Sequence, residues 1–414
     1  MAPLIYIHPN PEQTIIPLLR AHFPYSVSLL RRIQHALAYS SSTARVLATF
    51  PPNATGAVTD LRSPWLAAYV DLFRGRETQI ILYSSLQRDA PTDSNPVLAG
   101  NEKQHSEAEN ATANANAKGD AVSTLSTTDP AVLDLVRGQL LGLLVYIKAK
   151  LLPEYLATQC HPDGPSTGAN GANTTKKDHT IPPPPPQAFL IGCLHTGLQS
   201  LLTASGTYTD PNPWAGVKIH RFDNPPYVKY LFPPAILETS IVEEGYTLPP
   251  GYRFEDKYGR RGLQSYQFDL VQSRTHIPRS SESLGCMPSL GIYFSGTATA
   301  TATQQGDDQD QDKEWPIAWA FIGFDGALAT LHVEPEHRGK GLAVHLSKEV
   351  MKRGLSAKGP FRTPVSSSGG REDGGWGHVE VAMNNVASRR VMEKVGGETG
   401  WTVTWTVVEL VDLD

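Results

Sequence analysis

Residues 315–353 constrain the fold more than any other stretch, because they commit a hairpin, a glycine-rich turn and a helix to one continuous unit. The run WPIAWAFIGFDGALATLHV reads as two β-strands, 317–324 and 328–333, joined at Asp325-Gly326, a dipeptide strongly suited to tight hairpins. The second strand leads into Glu334-Pro335-Glu336-His337-Arg338-Gly339-Lys340-Gly341-Leu342-Ala343, and then into a helix whose Leu342, Leu346 and Val350 share one face. A turn of this kind leaves backbone N–H donors unpaired at the start of the helix, where the helix dipole also favours a phosphate. Gly339 and Gly341 let the backbone approach such a group closely. Between Pro335 and Arg353 the positive residues Arg338, Lys340, Lys348, Lys352 and Arg353 face only Glu336 and Glu349, although the whole chain has a net charge of −5. An anionic ligand is therefore held locally, and the global charge offers no attraction to nucleic acid or to an anionic membrane.

Arg338-Gly339-Lys340-Gly341-Leu342-Ala343 resembles the Arg/Gln-x-x-Gly-x-Gly/Ala pyrophosphate loop of the GCN5-related N-acetyltransferases (GNAT), and Val333-Glu334-Pro335 ahead of it also fits. A second block in the expected order, Asn385-Val386-Ala387-Ser388 and onward to Gly396, resembles the Asn-x-x-Ala/Ser helix that closes on the pantetheine arm. Within the superfamily the chain most resembles the FR47-like and glycine N-acyltransferase-like branch, through GYRFEDKYGRRGLQSYQFDLV, PIAWAFIGFDGALATLHVEPEHRGKGLA and HVEVAMNNVASRRVMEKVGG. The resemblance covers about 245–410. It implies an α+β fold, a mixed α/β sheet of GNAT type over 245–412, preceded by a degenerate GNAT-like half over 1–240. It also implies an acyl-CoA-dependent N-acyltransferase, expected to be an N-acetyltransferase, in which an amine attacks the thioester of acetyl-CoA or another acyl-CoA directly. The cofactor contacts implied are Leu331, Val333, Arg338, Gly339, Lys340, Gly341, Leu342, Ala343, Asn385 and Ser388.

The catalytic groups are harder to carry over. An alkylamine with a pKa of about 10 must lose a proton before it attacks, so a base is required. The tyrosine that many relatives use as an acid is replaced by Met392, and the glutamate that some place at the start of the motif strand is replaced by Ala327. His332 and Glu334 are then the nearest ionisable groups on that strand. Alternation puts Leu328, Thr330 and His332 on one face and Ala329, Leu331 and Val333 on the other, with Glu334 on the His332 side unless a bulge intervenes. A largely neutral imidazole suits proton relay near pH 7, so His332 is the first candidate base and Glu334 the second. A catalytically silent acyl-CoA-binding or interaction protein is the alternative of a different class.

A chain of 414 residues exceeds the size of a single hydrophobic core. With 35 Gly and 33 Pro it holds more breakers than compact domains need, so long loops are expected, and four spans near 88–129, 161–187, 297–313 and 356–377 have low-complexity composition. These spans are expected to be disordered insertions, and the five prolines Pro182 to Pro186 to act as a stiff spacer. Leu133, Val136, Leu140, Leu144 and Ile147 mark an amphipathic helix between the first two spans. Its most apolar part, 138–147, is about half of the roughly 20 residues that cross a bilayer. The three cysteines Cys160, Cys193 and Cys286 offer neither a metal pair nor a disulfide framework. His332, Glu334, Glu336 and His337 lack metal-site spacing, so no metal is expected, and the isolated His195 reads as a core or capping histidine. The N-terminus lacks a basic region ahead of its apolar residues, which argues against a secretory signal and for a cytoplasmic protein. The expected acceptor is a small-molecule amine or a protein amine, with no nucleic-acid or membrane partner.

Overall fold

Two stretches of the chain run through the same order of elements, and this repetition organises the molecule. The computed structural model describes residues 4–52, 63–87, 122–125, 127, 129–159, 181–203, 206–208, 216–238, 248–295, 313–356, 358–361 and 375–411. The first stretch comprises β1 (Tyr6–Ile7), α1 (Pro11–Thr14), α2 (Ile16–Ala21), α3 (Val27–Ala38), β2 (Arg45–Ala48), β3 (Leu66–Val70), β4 (Ile80–Ser84), α4 (Pro130–Tyr146), α5 (Leu152–Gln159), β5 (Ala188–His195), α6 (Thr196–Thr203), β6 (Gly206–Tyr208), β7 (Val217–Phe222), β8 (Tyr227–Phe232) and α7 (Pro234–Glu238). The second comprises β9 (Tyr252–Arg253), α8 (Phe268–Ser273), α9 (Ser281–Gly285), β10 (Ser289–Phe294), β11 (Ala318–Ile322), β12 (Leu328–Val333), α10 (Leu342–Gly354), β13 (Gly377–Ala382), α11 (Val386–Val395) and β14 (Glu398–Leu410). In each stretch a strand, short helices and three more strands form an antiparallel meander. A helix then returns the chain to a strand parallel to the fourth.

The two stretches exchange strands. One ten-stranded sheet follows β1-β2-β3-β4-β5-β14-β7-β6, with β8 pairing β13 and β14, while β12-β11-β10-β9 forms a second sheet. Strand β8 comes from the first stretch, yet its Val228, Tyr230 and Phe232 are buried with Leu346, Val350 and Met392 of the second. Strand β14 comes from the second stretch and pairs with β5 and β7 of the first. The boundary read at 240–245 falls in 239–247, outside the described residues, and the hydrogen-bonded sheet runs across it.

Helix α3 locks the stretches together from one side. A Cβ on Gly326, in the β11–β12 turn at φ 80, would meet the Arg31 side chain at 2.7 Å. Arg31 also donates to the Phe361 carbonyl at 3.1 Å, and His35 Nε2 donates to the Cys286 carbonyl at 3.2 Å. Burial pushes the His35 imidazole down to about 4, so it is neutral in the fold. His195 is likewise buried and lowered to about 4, and its Nδ1 accepts from the Gly197 N–H at 3.0 Å, which caps α6.

Two sequence expectations need adjustment. Residues Ile147–Leu151 continue α4 into α5 as a π-helical segment, so Pro130–Thr158 is one run, long and apolar enough to cross a membrane by length and composition, well beyond 138–147. Its Val136, Leu140, Leu143, Leu144 and Ile147 are buried in the core of the first stretch. The four low-complexity spans lie largely outside the described residues, but their margins contain core. Leu125 is 9% exposed and packs beneath α4 and α6, and Phe361 is 2% exposed.

Candidate active site

Strand β12 is kinked where the site begins. Thr330 has φ 53, a conformation that costs a non-glycine residue energy, and the pairing with β11 shifts register between Trp319 and Phe321. The bulge breaks the simple alternation. Leu328, Leu331 and Val333 face the core under α10, whereas Ala329 and His332 pair with Phe321 and Trp319 on the opposite side. Beyond the bridge between Ala327 and His378, β12 and β13 form no further ladder, so two parallel strands part and leave a cleft.

The glycine turn lies at the open end of β12. Gly339 and Gly341 have φ 78 and 76, and Gly341 is the N-cap of α10 with no side-chain cap. The N–H groups of Gly339, Lys340, Gly341, Leu342 and Ala343 have no backbone or side-chain acceptor among the described residues. Exposed Arg338 donates through Nε to the Val333 carbonyl at 2.9 Å, and Lys340 Nζ donates to the Tyr252 hydroxyl at 2.9 Å. Asn385 and Ser388 come together at the start of α11, where Asn385 Oδ1 caps the Ser388 N–H at 3.1 Å. The first stretch differs at the matching point, since Asp129 Oδ1 accepts from the Ala131 N–H at 2.9 Å and places a carboxylate of the chain at the start of α4.

A cavity of about 230 Å³ opens between the two stretches and reaches β12 and β13. Phe324, Asp325, Ala327, Ala329, Thr330 and Glu380 form one wall, and Arg32, Thr78, Arg221, Asp223 and Tyr227 of the first stretch, with Trp405, form another. Burial alone would raise the Glu380 carboxyl, but Lys229 and His378 outweigh it and hold it well below the usual carboxylate range. Lys229 also donates to Ser28 Oγ at 2.8 Å, and His378 Nε2 donates to the Asp325 carbonyl at 3.0 Å. Asp223 behaves oppositely: burial raises its carboxyl despite the Trp405 N–H at 3.1 Å and the nearby Arg221. Cys193, Asp325 and Glu380 approach within 4.8 Å in a metal-compatible group, but the Lys229 ammonium is already bonded to Glu380.

His332 and Glu334 do not line this cavity. The imidazole stacks on Trp319 at 4.5 Å and 19°, and its Nε2 lies 3.6 Å from Glu334 Oε2 without a hydrogen-bond partner. Burial lowers its pKa, with Glu334 opposing, while Glu334 is held by Arg274 at 3.1 Å. Sequence reasoning missed Arg32, Asp223, Tyr227 and Glu380. No spacing signals Arg32, Asp223 and Tyr227, because only α3 and the exchanged strands bring them to β12, while Glu380 reaches it on β13 beside the Ala327–His378 bridge.

The N-terminal domain of the acyl-CoA N-acyltransferase verG matches residues 2–230. A search of curated proteins gives no match. Among solved structures, a Drosophila protein is 11% identical, with 96% of this chain and 95% of that chain covered at a TM-score of 0.46. A putative GNAT-family acetyltransferase from Novosphingobium aromaticivorans is 16% identical over 52% of this chain and 80% of its own, with a TM-score of 0.29. A GCN5-related N-acetyltransferase from Kribbella flavida is 10% identical over 54% and 67%, with a TM-score of 0.30. The verG domain match takes in more than half of the 414 residues, and the chain belongs to that acyl-CoA N-acyltransferase family.

Proposed function

We propose that the protein transfers an acyl group, acetyl in the first instance, directly from coenzyme A to an amine bound in the cavity between the two stretches. The observation that carries this reading is the placement of a bare helix start and a parted strand pair along β12, with the cavity against its first residues, Leu328 to Thr330. The pyrophosphate would rest on the N–H donors of Gly339 to Ala343 beside Arg338 and Lys340. The pantetheine arm would follow β12 past Val333 and Leu331 towards α11, whose Asn385 and Ser388 stand at its first turn. The N–H of Leu331, beyond the kink at Thr330, would face the oxyanion that develops on the thioester carbonyl.

Attack by the amine needs a base with a pKa brought towards neutrality. Among the cavity carboxylates Glu380 is driven the wrong way by Lys229, whereas burial raises Asp223. Asp223 is therefore the base in this reading, ahead of His332 and Glu334, which stand outside the cavity. Turnover of Asp223→Asn should fall by about 10²-fold or more with acyl-CoA affinity retained, the usual range for a lost general base. His332→Gln should stay near the wild-type rate. Release of coenzyme A thiol across a panel of amines and acyl-CoAs measures both. The reverse pattern would return the role to His332.

A further inference from the structure

We propose that Glu380 orients the attacking amine by accepting one of its N–H bonds, and that Lys229 of the first stretch positions Glu380 to do so. This rests on the cavity being the acceptor site. Net charge selects nothing there, since Arg32, Arg76, Arg221 and Arg279 balance Glu77, Asp223, Asp325 and Glu380 along its walls. Individual oxygen atoms decide instead. Both oxygens of Glu77 are used, by Arg74 at 2.9 Å and by the Ser280 N–H at 3.1 Å. Both oxygens of Asp325 are used as well, by the Ala327 N–H at 3.3 Å and the Cys193 thiol at 3.5 Å. Asp223 and Glu380 each keep one oxygen, Oδ1 and Oε2, without a hydrogen-bond partner among the described residues.

The Lys229 ammonium has three N–H bonds and three acceptors, namely Ser28 Oγ at 2.8 Å, His378 Nδ1 at 3.3 Å and Glu380 Oε1. It therefore fixes the carboxylate through one oxygen and leaves Oε2 over. Lys229 and Glu380 are also cross-strand partners in the β8–β13 ladder. An ion pair buried this deeply seldom adds stability beyond what apolar side chains of like volume would give, so its retention on a cavity wall points to use. A neutral amine has one lone pair for the thioester carbon and N–H bonds around it. A carboxylate that stays ionised accepts one of these without taking the proton, and so aims the lone pair. Asp223, whose carboxyl burial raises, is the group that first takes the proton of the ammonium. The N–C bond then forms as the C–S bond breaks. One N–H proton leaves to the coenzyme A thiolate, which departs as the thiol, and the amide N–H stays on Glu380 Oε2.

The test measures release of coenzyme A thiol with a primary amine from the panel and with its N-methyl derivative, which has one N–H fewer. Wild type should prefer the primary amine. Glu380→Gln should lose that preference and about 10- to 100-fold in kcat/KM, the worth of a hydrogen bond to a charged group. Its acyl-CoA affinity and its rise of rate with pH should persist, since Asp223 still takes the proton. In Lys229→Met, Glu380 keeps Cys193, Asp325 and His378 around it but loses the ammonium, so burial raises its carboxyl. That variant should be slow at neutral pH and recover at a higher pH than the wild-type rise. Because each single change leaves a buried partner unpaired, Lys229→Met combined with Glu380→Leu controls for folding. It should melt no lower than wild type and show the Glu380→Gln rates. An undiminished rate in either Glu380 variant would overturn the proposal. Equal loss on both amines with a lowered Tm in Glu380→Gln would also overturn it, by identifying a structural brace. Failure of Lys229→Met to recover at high pH would remove Lys229 from the role. Absence of turnover of any amine by wild type would refute acyl transfer in the cavity and this role together.

Discussion

The two stretches share one order of elements and differ where a cofactor would enter. In the second, β12 and β13 meet only at Ala327 and His378, and α10 starts on glycines with its donors bare. In the first, β4 and β5 pair at Ile80 with Ile191 and at Ile81 with Gly192, and Asp129 already caps α4. Ser123 also crosses the end of β5, where its carbonyl accepts from Thr196 Oγ1 at 2.6 Å. Topology alone therefore does not make a cofactor cleft. It forms where the parallel strands part and the following helix leaves its first N–H groups unused. The first stretch contributes instead the far wall of the cavity and a strand for its neighbour's sheet.

The most drastic way to break this comparison is to remove the first stretch. Residues 245–414 alone lack β8, which fills the gap between β13 and β14 and buries Val228, Tyr230 and Phe232. No cooperative melt is expected from that fragment, and co-expression with 1–240 should restore one. A fragment that melts cooperatively and binds acyl-CoA would mean that the stretches are independent after all.

Acid should loosen the contact between the stretches next. His35 and His195 are neutral in the fold at a pKa of about 4, whereas in the unfolded chain each takes up its proton near the ordinary value of 6.5. Both values are depressed, so the stability they contribute is complete above pH 6.5 and declines as pH falls towards 4. The loss is on the order of 3 kcal/mol for each. Urea melts at pH 7 and pH 4.5 would measure it, and His35→Gln should flatten the dependence. An unchanged pH profile in a His35→Gln, His195→Gln double variant would exclude this origin.

The smallest effects distinguish the two helix starts. Gly341→Val forces a β-branched residue into φ 76 and should cost about 1–2 kcal/mol of stability, together with a tenfold or greater loss of acyl-CoA affinity. Asp129→Ala should cost about 1 kcal/mol as a lost cap and leave acyl-CoA affinity untouched. Calorimetry that found the cofactor affected by Asp129→Ala and not by Gly341→Val would invert the assignment of the two helices.

The glycine turn was legible in the sequence because its chemistry is contiguous: the donors, the missing Cβ atoms and the positive charge all fall within Arg338 to Ala343. The parity of β12 was not, since a single bulge at Thr330 moves Leu328 away from the face of His332. The cavity carboxylate Asp223 was not legible for a related reason: His332 is near the motif in sequence, whereas Asp223 reaches the cavity only through a turn next to β14. Low-complexity composition likewise hid Leu125 and Phe361, whose burial depends on packing against α4, α6 and α3.

Strand β14 has a consequence for how the protein is made. A ribosome delivers β5, β7 and β8 well before residues 398–410, yet β14 must pair with all three. Until then the nascent chain presents several unsatisfied strand edges at once, the kind of surface that recruits holdase chaperones or pairs with a neighbouring polysome product. Growth of the native sheet thus waits on a late long-range closure, which favours slow maturation after β14 is made over folding one half at a time.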